Sequence, residues 1–289
     1  MPDSAYQSIL DRDLYRIQIE DSFAPQIEIL EQMVNYGSNL IPRCFDSSDK
    51  KIPEVVCILA FLKHAVSAMD AIHILVKEGA TVACFSHIRS LFEIKLYLSW
   101  IFKEDYERRG KAYYVWNIRN KRFWNRCHLV GTPEQAAHLK HMAGGPMEGL
   151  AAHHTQAELA AAVAQDDKRL QHEALKEINE LFDEKASKSG KDVEWHAALG
   201  MRHLRAMARD LNMESWYKVF YTSLSEITHG KTLNRQVSMD SKKGKVFFDP
   251  IRTLDSVPLV FQFTLPFAFE LFELTLARYR PDEVPALMR

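Results

Sequence analysis

Arg89 and Glu93 stand four residues apart in the apolar stretch RSLFEIKLYLSWIF at 89–102, so a helix there puts both on one face with Leu96 and Trp100. Such a pair reads in two ways. It is either an ion pair satisfied inside a bundle, or an arginine in a cleft that grips phosphate or carboxylate while Glu93 holds its orientation. A second constellation is YKVFYTSLSEITHG at 217–230, which gathers Tyr221, Ser223, Ser225, Glu226, Thr228 and His229 on one short segment. His229 in a last helical turn can bond the final carbonyls. Beside those hydroxyls it can also serve as a general acid or base near neutral pH.

Two further sets carry chemistry. Asp70, His73, Glu93, Glu226, His229 and Glu270 supply from four predicted helices the ligand types of a di-iron carboxylate bundle, although Asp replaces a Glu and the motif order is not the usual one. Between Arg108 and Pro133 there are seven Lys or Arg residues and no acidic one. Arg108, Lys111, Arg119, Arg122 and Arg126 share a face of one predicted helix. Tyr113, Trp116 and Phe123 line another. That helix is either a solvated face balanced by an acidic helix further on or a footprint for RNA, which Arg202, Arg205 and Arg209 would extend.

The elements that must position these residues are almost all helical. Apolar residues at three- and four-residue spacing predict helices over 22–40, 53–78, 81–103 and 105–130, and a short helix then a mobile loop within 132–156. The same spacing predicts a strongly acidic helix over 158–188 and helices over 196–211 and 214–229, the last ended by Gly230. The period switches to two near 236–249, predicting a small β-hairpin. A phenylalanine-rich segment, 257–277, follows. It is long enough to cross a bilayer, but Gln262, Thr264, Glu270 and Glu273 favour a buried core helix. The reading is all-α: one domain over 1–289, a bundle of about 8–10 helices, with 1–20 as an extension.

Composition bounds the function. A net charge of -1 excludes a chain that coats nucleic acid by overall charge, so any such contact is local. Cys44, Cys57, Cys84 and Cys127 are far apart and read as buried or reduced thiols. No signal-like apolar run opens the chain, which gives a cytoplasmic expectation.

The RSLFEIKLYLSWIF helix, followed by Tyr221, Ser223 and the His229-Gly230 helix end, resembles domain-of-unknown-function family 5677 over roughly residues 50–280. That resemblance implies an all-helical fold with no established activity. The family architecture is in turn similar to the HEPN superfamily of helical bundles, many of them metal-independent RNases that work through an Arg and a His four to six residues apart. Arg89 and His229 depart from that spacing and would meet across two helices. Arg122 and His128 satisfy it, as chance allows in a chain this rich in both. The resemblance implies an RNA-acting enzyme with no cofactor, a toxin or phage-defence effector. It would be a homodimer without membrane attachment or DNA specificity, with Arg89, Glu93 and His229 catalytic and Tyr221, Ser223, Ser225 and Glu226 supporting. A non-catalytic protein-interaction module and a di-iron oxidase stand as the alternatives.

Overall fold

The computed structural model describes residues 10–49, 53–145, 154–224, 237–240, 244–248 and 251–288. It is all-α apart from one pair of antiparallel strands. Where the sequence reads as one domain, the chain divides into two compact units: 1–104 with 204–289, and 105–203.

The first unit is built on four long helices. α1 (Arg12–Asp46) starts at Asp11, whose carboxylate accepts from the Leu14 N–H at 3.0 Å, and runs ten residues further upstream than the apolar pattern alone predicts. Pro25 and Pro42 lie within it. The helix does not end at residue 40, ahead of Pro42, as expected, because α1 buries Ile19, Ile27, Leu30, Leu40 and Cys44 along one seam, and packing outweighs the lost backbone bond. α2 (Pro53–Lys77) and α3 (Thr81–Lys103) lie against one another, and α11 (Val257–Tyr279) packs on α1, α2 and α3. Gly37 of α1 sits where a Cβ would be 2.6 Å from Val66 and 2.8 Å from Phe272, so a side chain there would hold these helices apart.

α2 and α11 are both long and apolar enough to cross a membrane. Here each buries a broad face in the bundle, and the two polar residues of α11 that lie deepest, Thr264 and Thr275, are fully buried. Thr275 donates its hydroxyl to the Leu271 carbonyl at 2.8 Å. Lys95 of α3, almost buried, pairs with Glu270 of α11 and lies 4.9 Å from the Phe267 ring centre.

The later elements depart further from the predicted pattern. The helix expected over 196–211 is two pieces, α8 (Trp195–Ala198) of the second unit and α9 (Leu204–Asp210) of the first, with Gly200, whose φ of +92° suits glycine, between them in the chain. The helix expected from Glu214 to His229 begins as α10 (Glu214–Tyr217) and widens into a π-helical turn, Lys218–Ser223. Residues 225–236 lie outside the described residues, and with them Ser225, Glu226, His229 and Gly230. β1 (Val237–Asp240) pairs antiparallel with β2 (Lys245–Phe248), in register Val237 to Phe248, where the hairpin is expected. A 3₁₀ turn at Pro281–Glu283 and a short α12 (Val284–Leu287) close the unit.

The second unit is organised on α4 (Tyr106–His128), against which α5 (Pro133–Met142), α6 (Gln156–Leu170), α7 (Glu173–Ser189) and α8 all pack. The single acidic helix expected over 158–188 is α6 and α7. The chain breaks at His172, whose ring nitrogen accepts from the Ala174 N–H at 3.3 Å and starts a new helix. α6 opens on a capping box in which Thr155 and Glu158 each satisfy the other's backbone N–H.

All four cysteines are buried free thiols, as expected, and burial pushes those of Cys57 and Cys84 up to about 12.

Candidate functional site

On α3, Arg89 and Glu93 form an ion pair at 2.9 Å, with side chains 22% and 25% exposed. The pair is half-sheltered and reachable from solvent. Its geometry is a charge contact rather than an aligned hydrogen bond, since Nε of Arg89 and Oε1 of Glu93 have no hydrogen-bond partner among the described residues. Burial raises the Glu93 carboxyl above the ordinary carboxylate range, and Arg89 only partly offsets this.

The π-helical turn brings aromatic rings over this pair. The Arg89 guanidinium lies 4.5 Å from the Tyr221 ring centre, and Tyr221 stacks on Tyr217 at 4.8 Å with 11° between the rings. One residue back, Trp216 stacks on Phe220 at 5.5 Å, and Phe220 reaches into the core, 5.3 Å from Phe92 and 5.0 Å from Phe267. Two interleaved aromatic pairs at four-residue spacing therefore do separate jobs. The Trp216/Phe220 pair pins the turn to α3 and α11, and the Tyr217/Tyr221 pair covers the arginine. Burial and the neighbouring Tyr221 push the Tyr217 phenol up, so it remains a hydroxyl donor at neutral pH. Tyr217 and the Trp216/Phe220 anchor are absent from the sequence-level candidates, although the i, i+4 spacing within WYKVFY carries the signal. Ser223 lies in the same turn, and His229 lies outside the described residues.

The basic face of α4 is arranged otherwise. Arg119 donates to Asn179 at 2.8 Å, Asp183 at 2.7 Å and Asp192 at 3.2 Å, and lies over the Phe182 ring at 5.5 Å. Arg122 reaches Asp167 at 2.7 Å, Arg126 reaches Glu134 at 2.8 Å, and Arg108 approaches Glu177 at 3.7 Å. Lys121 approaches the fully buried Asp166 at 3.5 Å. Of the five residues predicted to face RNA, Lys111 is the one without an ion pair among the described residues. Acids of α5, α6 and α7 therefore face this helix and pair with four of the five, while Arg108 remains 49% exposed.

The four described di-iron candidates, Asp70, His73, Glu93 and Glu270, form no metal-holding cluster. Asp70 is exposed on α2. His73 lies 3.8 Å from Glu31 of α1, Glu93 is paired with Arg89, and Glu270 is paired with Lys95. Glu226 and His229 are outside the described residues, among which no group of three or more His, Cys, Asp or Glu side chains could hold a metal ion. Ring centres of His128 and His138 are 5.4 Å apart with 74° between the rings, an edge-to-face contact between α4 and α5.

The model of a family of unknown function, DUF5677, matches residues 55–245, well over half of the chain. The chain belongs to this family. The matched span of DUF5677 takes in α2, α3, the whole second unit and the π-helical turn, so Arg89, Glu93 and Tyr221 all fall within it. It ends in β2, leaving α1 and α11 outside, which is shorter at its C-terminal end than the span of resemblance expected from the motifs. No curated protein and no solved structure matches the chain.

Proposed function

We propose that this DUF5677 protein is a HEPN-like, metal-independent endoribonuclease whose centre is the Arg89–Glu93 pair and its tyrosine cover. The observation that carries the reading is an arginine held by an adjacent carboxylate and an aromatic face, yet open enough for a phosphate to reach its guanidinium. In the proposed reaction the RNA 2′-hydroxyl attacks the adjacent phosphorus and gives its proton to a base. The 5′-oxygen leaves and takes a proton from an acid, so a cyclic phosphate and a free 5′-hydroxyl result. Arg89 stabilises the charge that develops on the phosphorane oxygens. Glu93, with its raised carboxyl, orients Arg89 and can accept a proton, and His229 is assigned the general acid/base role by its residue type and its place after Tyr221. The reading carries with it a cytoplasmic enzyme that works as a homodimer.

A second reading is a non-catalytic interaction module. It is favoured by the acid-paired face of α4 and by apolar side chains left exposed on β1 and β2.

Cleavage of a mixed-sequence single-stranded RNA in excess EDTA separates the two, comparing the full chain with His229→Ala at equal thermal stability. Cleavage lost in the variant supports the ribonuclease. Absence of cleavage by the wild-type chain removes it in favour of the module.

A further inference from the structure

Arg205 and Arg209 read from the sequence as an extension of the basic face of α4, but α9, which carries them, belongs with Arg89 to the first unit. Lys103 of α3 fixes α9 by donating to the carbonyl and the carboxylate of Asp210, each at 2.9 Å. From there both arginines converge on one acid, Glu214 of α10. Arg205 Nε donates to it at 2.9 Å, and Arg209 Nε and Nη2 donate at 3.2 and 3.1 Å. These bonds hold the Glu214 carboxyl down at about 2, so it stays ionised. Two cations still share one negative charge, with their side chains 50% and 64% exposed. At Arg119 of α4 the ratio is reversed: one arginine, 11% exposed, meets two carboxylates.

Glu214 and Tyr217 are three residues apart on α10, so one face carries the carboxylate and then the phenol. Tyr217 stacks on Tyr221, whose ring lies over Arg89. A row therefore runs from Arg205 and Arg209 through Glu214, Tyr217 and Tyr221 to Arg89 and Glu93, with positive charge at each end. Glu214 and Tyr221 are seven residues apart, roughly 10 Å along the axis at about 1.5 Å per residue. At about 3.4 Å per phosphate, that length is two to three nucleotides of a stacked strand. The Tyr217 phenol, between the two ends, lies in the field of both Arg205 and Arg89, and burial keeps its proton in place, so it can donate to a phosphate lying across the row. Two arginine groups at nucleotide spacing match a phosphodiester backbone, whose phosphates fix the register of a bound strand.

We infer that Arg205 and Arg209 form a second phosphate subsite of the Arg89 centre, which makes its preferred ligand an RNA strand of at least about three nucleotides. The choice of RNA rests on the ribonuclease reading, whereas the pairing of two cationic ends rests on the row of side chains between them.

The test is a fluorescence-anisotropy titration of the full chain with a labelled single strand of 2′-O-methyl RNA, about 12 nucleotides long, within the range of common single-strand sites. That strand lacks the hydroxyl that would attack, so it binds without being cleaved. Arg205→Gln with Arg209→Gln is expected to weaken binding at least tenfold at unchanged thermal stability. It should also flatten the slope of log affinity against log salt by about 0.7, the share of one phosphate on a single strand. Glu214→Gln breaks the same ion pairs but keeps both cations, and is expected to bind as tightly as wild type or more so. Unchanged affinity in the double variant, no binding by the wild-type chain, or an equal loss in Glu214→Gln would overturn the subsite. Loss in the double variant alone, with no cleavage of unmodified RNA by wild type, keeps the subsite and removes the ribonuclease reading. Cleavage by the wild-type chain with binding indifferent to the two arginines does the opposite.

Discussion

Two arginine-bearing helices in this protein hold the same side chain in different surroundings. On α4, Arg119, Arg122 and Arg126 each meet at least one carboxylate from another helix, and Arg119 is closed in by three hydrogen-bond acceptors and an aromatic ring. On α3, Arg89 shares a single carboxylate of its own helix, lies under a tyrosine, and keeps its Nε without a hydrogen-bond partner among the described residues. The first arrangement is saturated. The second leaves the arginine side chain 22% exposed beside a single carboxylate, which is why the proposed function places anion recognition there. Basic residues are densest along α4, whereas the proposed function rests on the arginine of α3.

Breaking the α4 network is expected to have the largest effect on stability. Arg119→Ala leaves Asn179, Asp183 and Asp192 without their shared donor and is expected to cost about 2–3 kcal/mol in urea unfolding, in line with hydrogen bonds to charged groups. A loss under about 0.5 kcal/mol would place the α4 arginines among ordinary surface pairs. Next comes Tyr221→Leu, which removes the ring over Arg89 and is expected to cost about 1 kcal/mol, while Tyr221→Phe, which keeps the ring, stays near wild type. Equal losses in the two would assign the effect to the hydroxyl. Smaller again, Arg122→Ala and Arg126→Ala each remove a half-exposed pair and are expected to cost under about 1 kcal/mol, with single-stranded RNA affinity unchanged in both.

The smallest effect is one of pH. Glu93 has a folded pKa above its unfolded one, so its contribution to stability is full when pH lies below the unfolded value and is lost as pH rises through the folded value. The stability of wild type relative to Glu93→Gln is therefore expected to fall as pH rises above the ordinary carboxyl value of 4.5, read from denaturant midpoints at each pH. A gap that widens instead would mean that Arg89 dominates over burial.

Much of the fold is legible in the residues. The seams of α2 and α3, the stop at Gly79, the paired strands and the buried α11 all follow from spacing and turn chemistry, and the Arg89–Glu93 pair follows from its i, i+4 separation. What spacing could not show depends on tertiary partners. α1 runs through Pro25 and Pro42 because its apolar seam continues past both. α6 and α7 separate at His172, a residue that sequence patterns do not rank among helix caps. The division into two units is set by which helices α4 packs on, and a run of helical periodicity carries no mark of that choice. The same holds at the site. Whether Arg119 is a ligand for RNA or for Asp183 depends on the fold of α7, where Asp183 lies 64 residues away, and the cover that Tyr221 provides depends on a π-helical turn with no signature in YKVFY.

The most direct test of this contrast is RNA cleavage in excess EDTA by Arg89→Ala and Arg126→Ala, each compared with wild type at equal folded fraction. Arg89→Ala is expected to lose about a hundredfold or more of the rate, the scale of removing one transition-state donor, while Arg126→Ala keeps the wild-type rate. Equal rates in the two variants, or no cleavage by the wild-type chain, would contradict the assignment of the working arginine to α3.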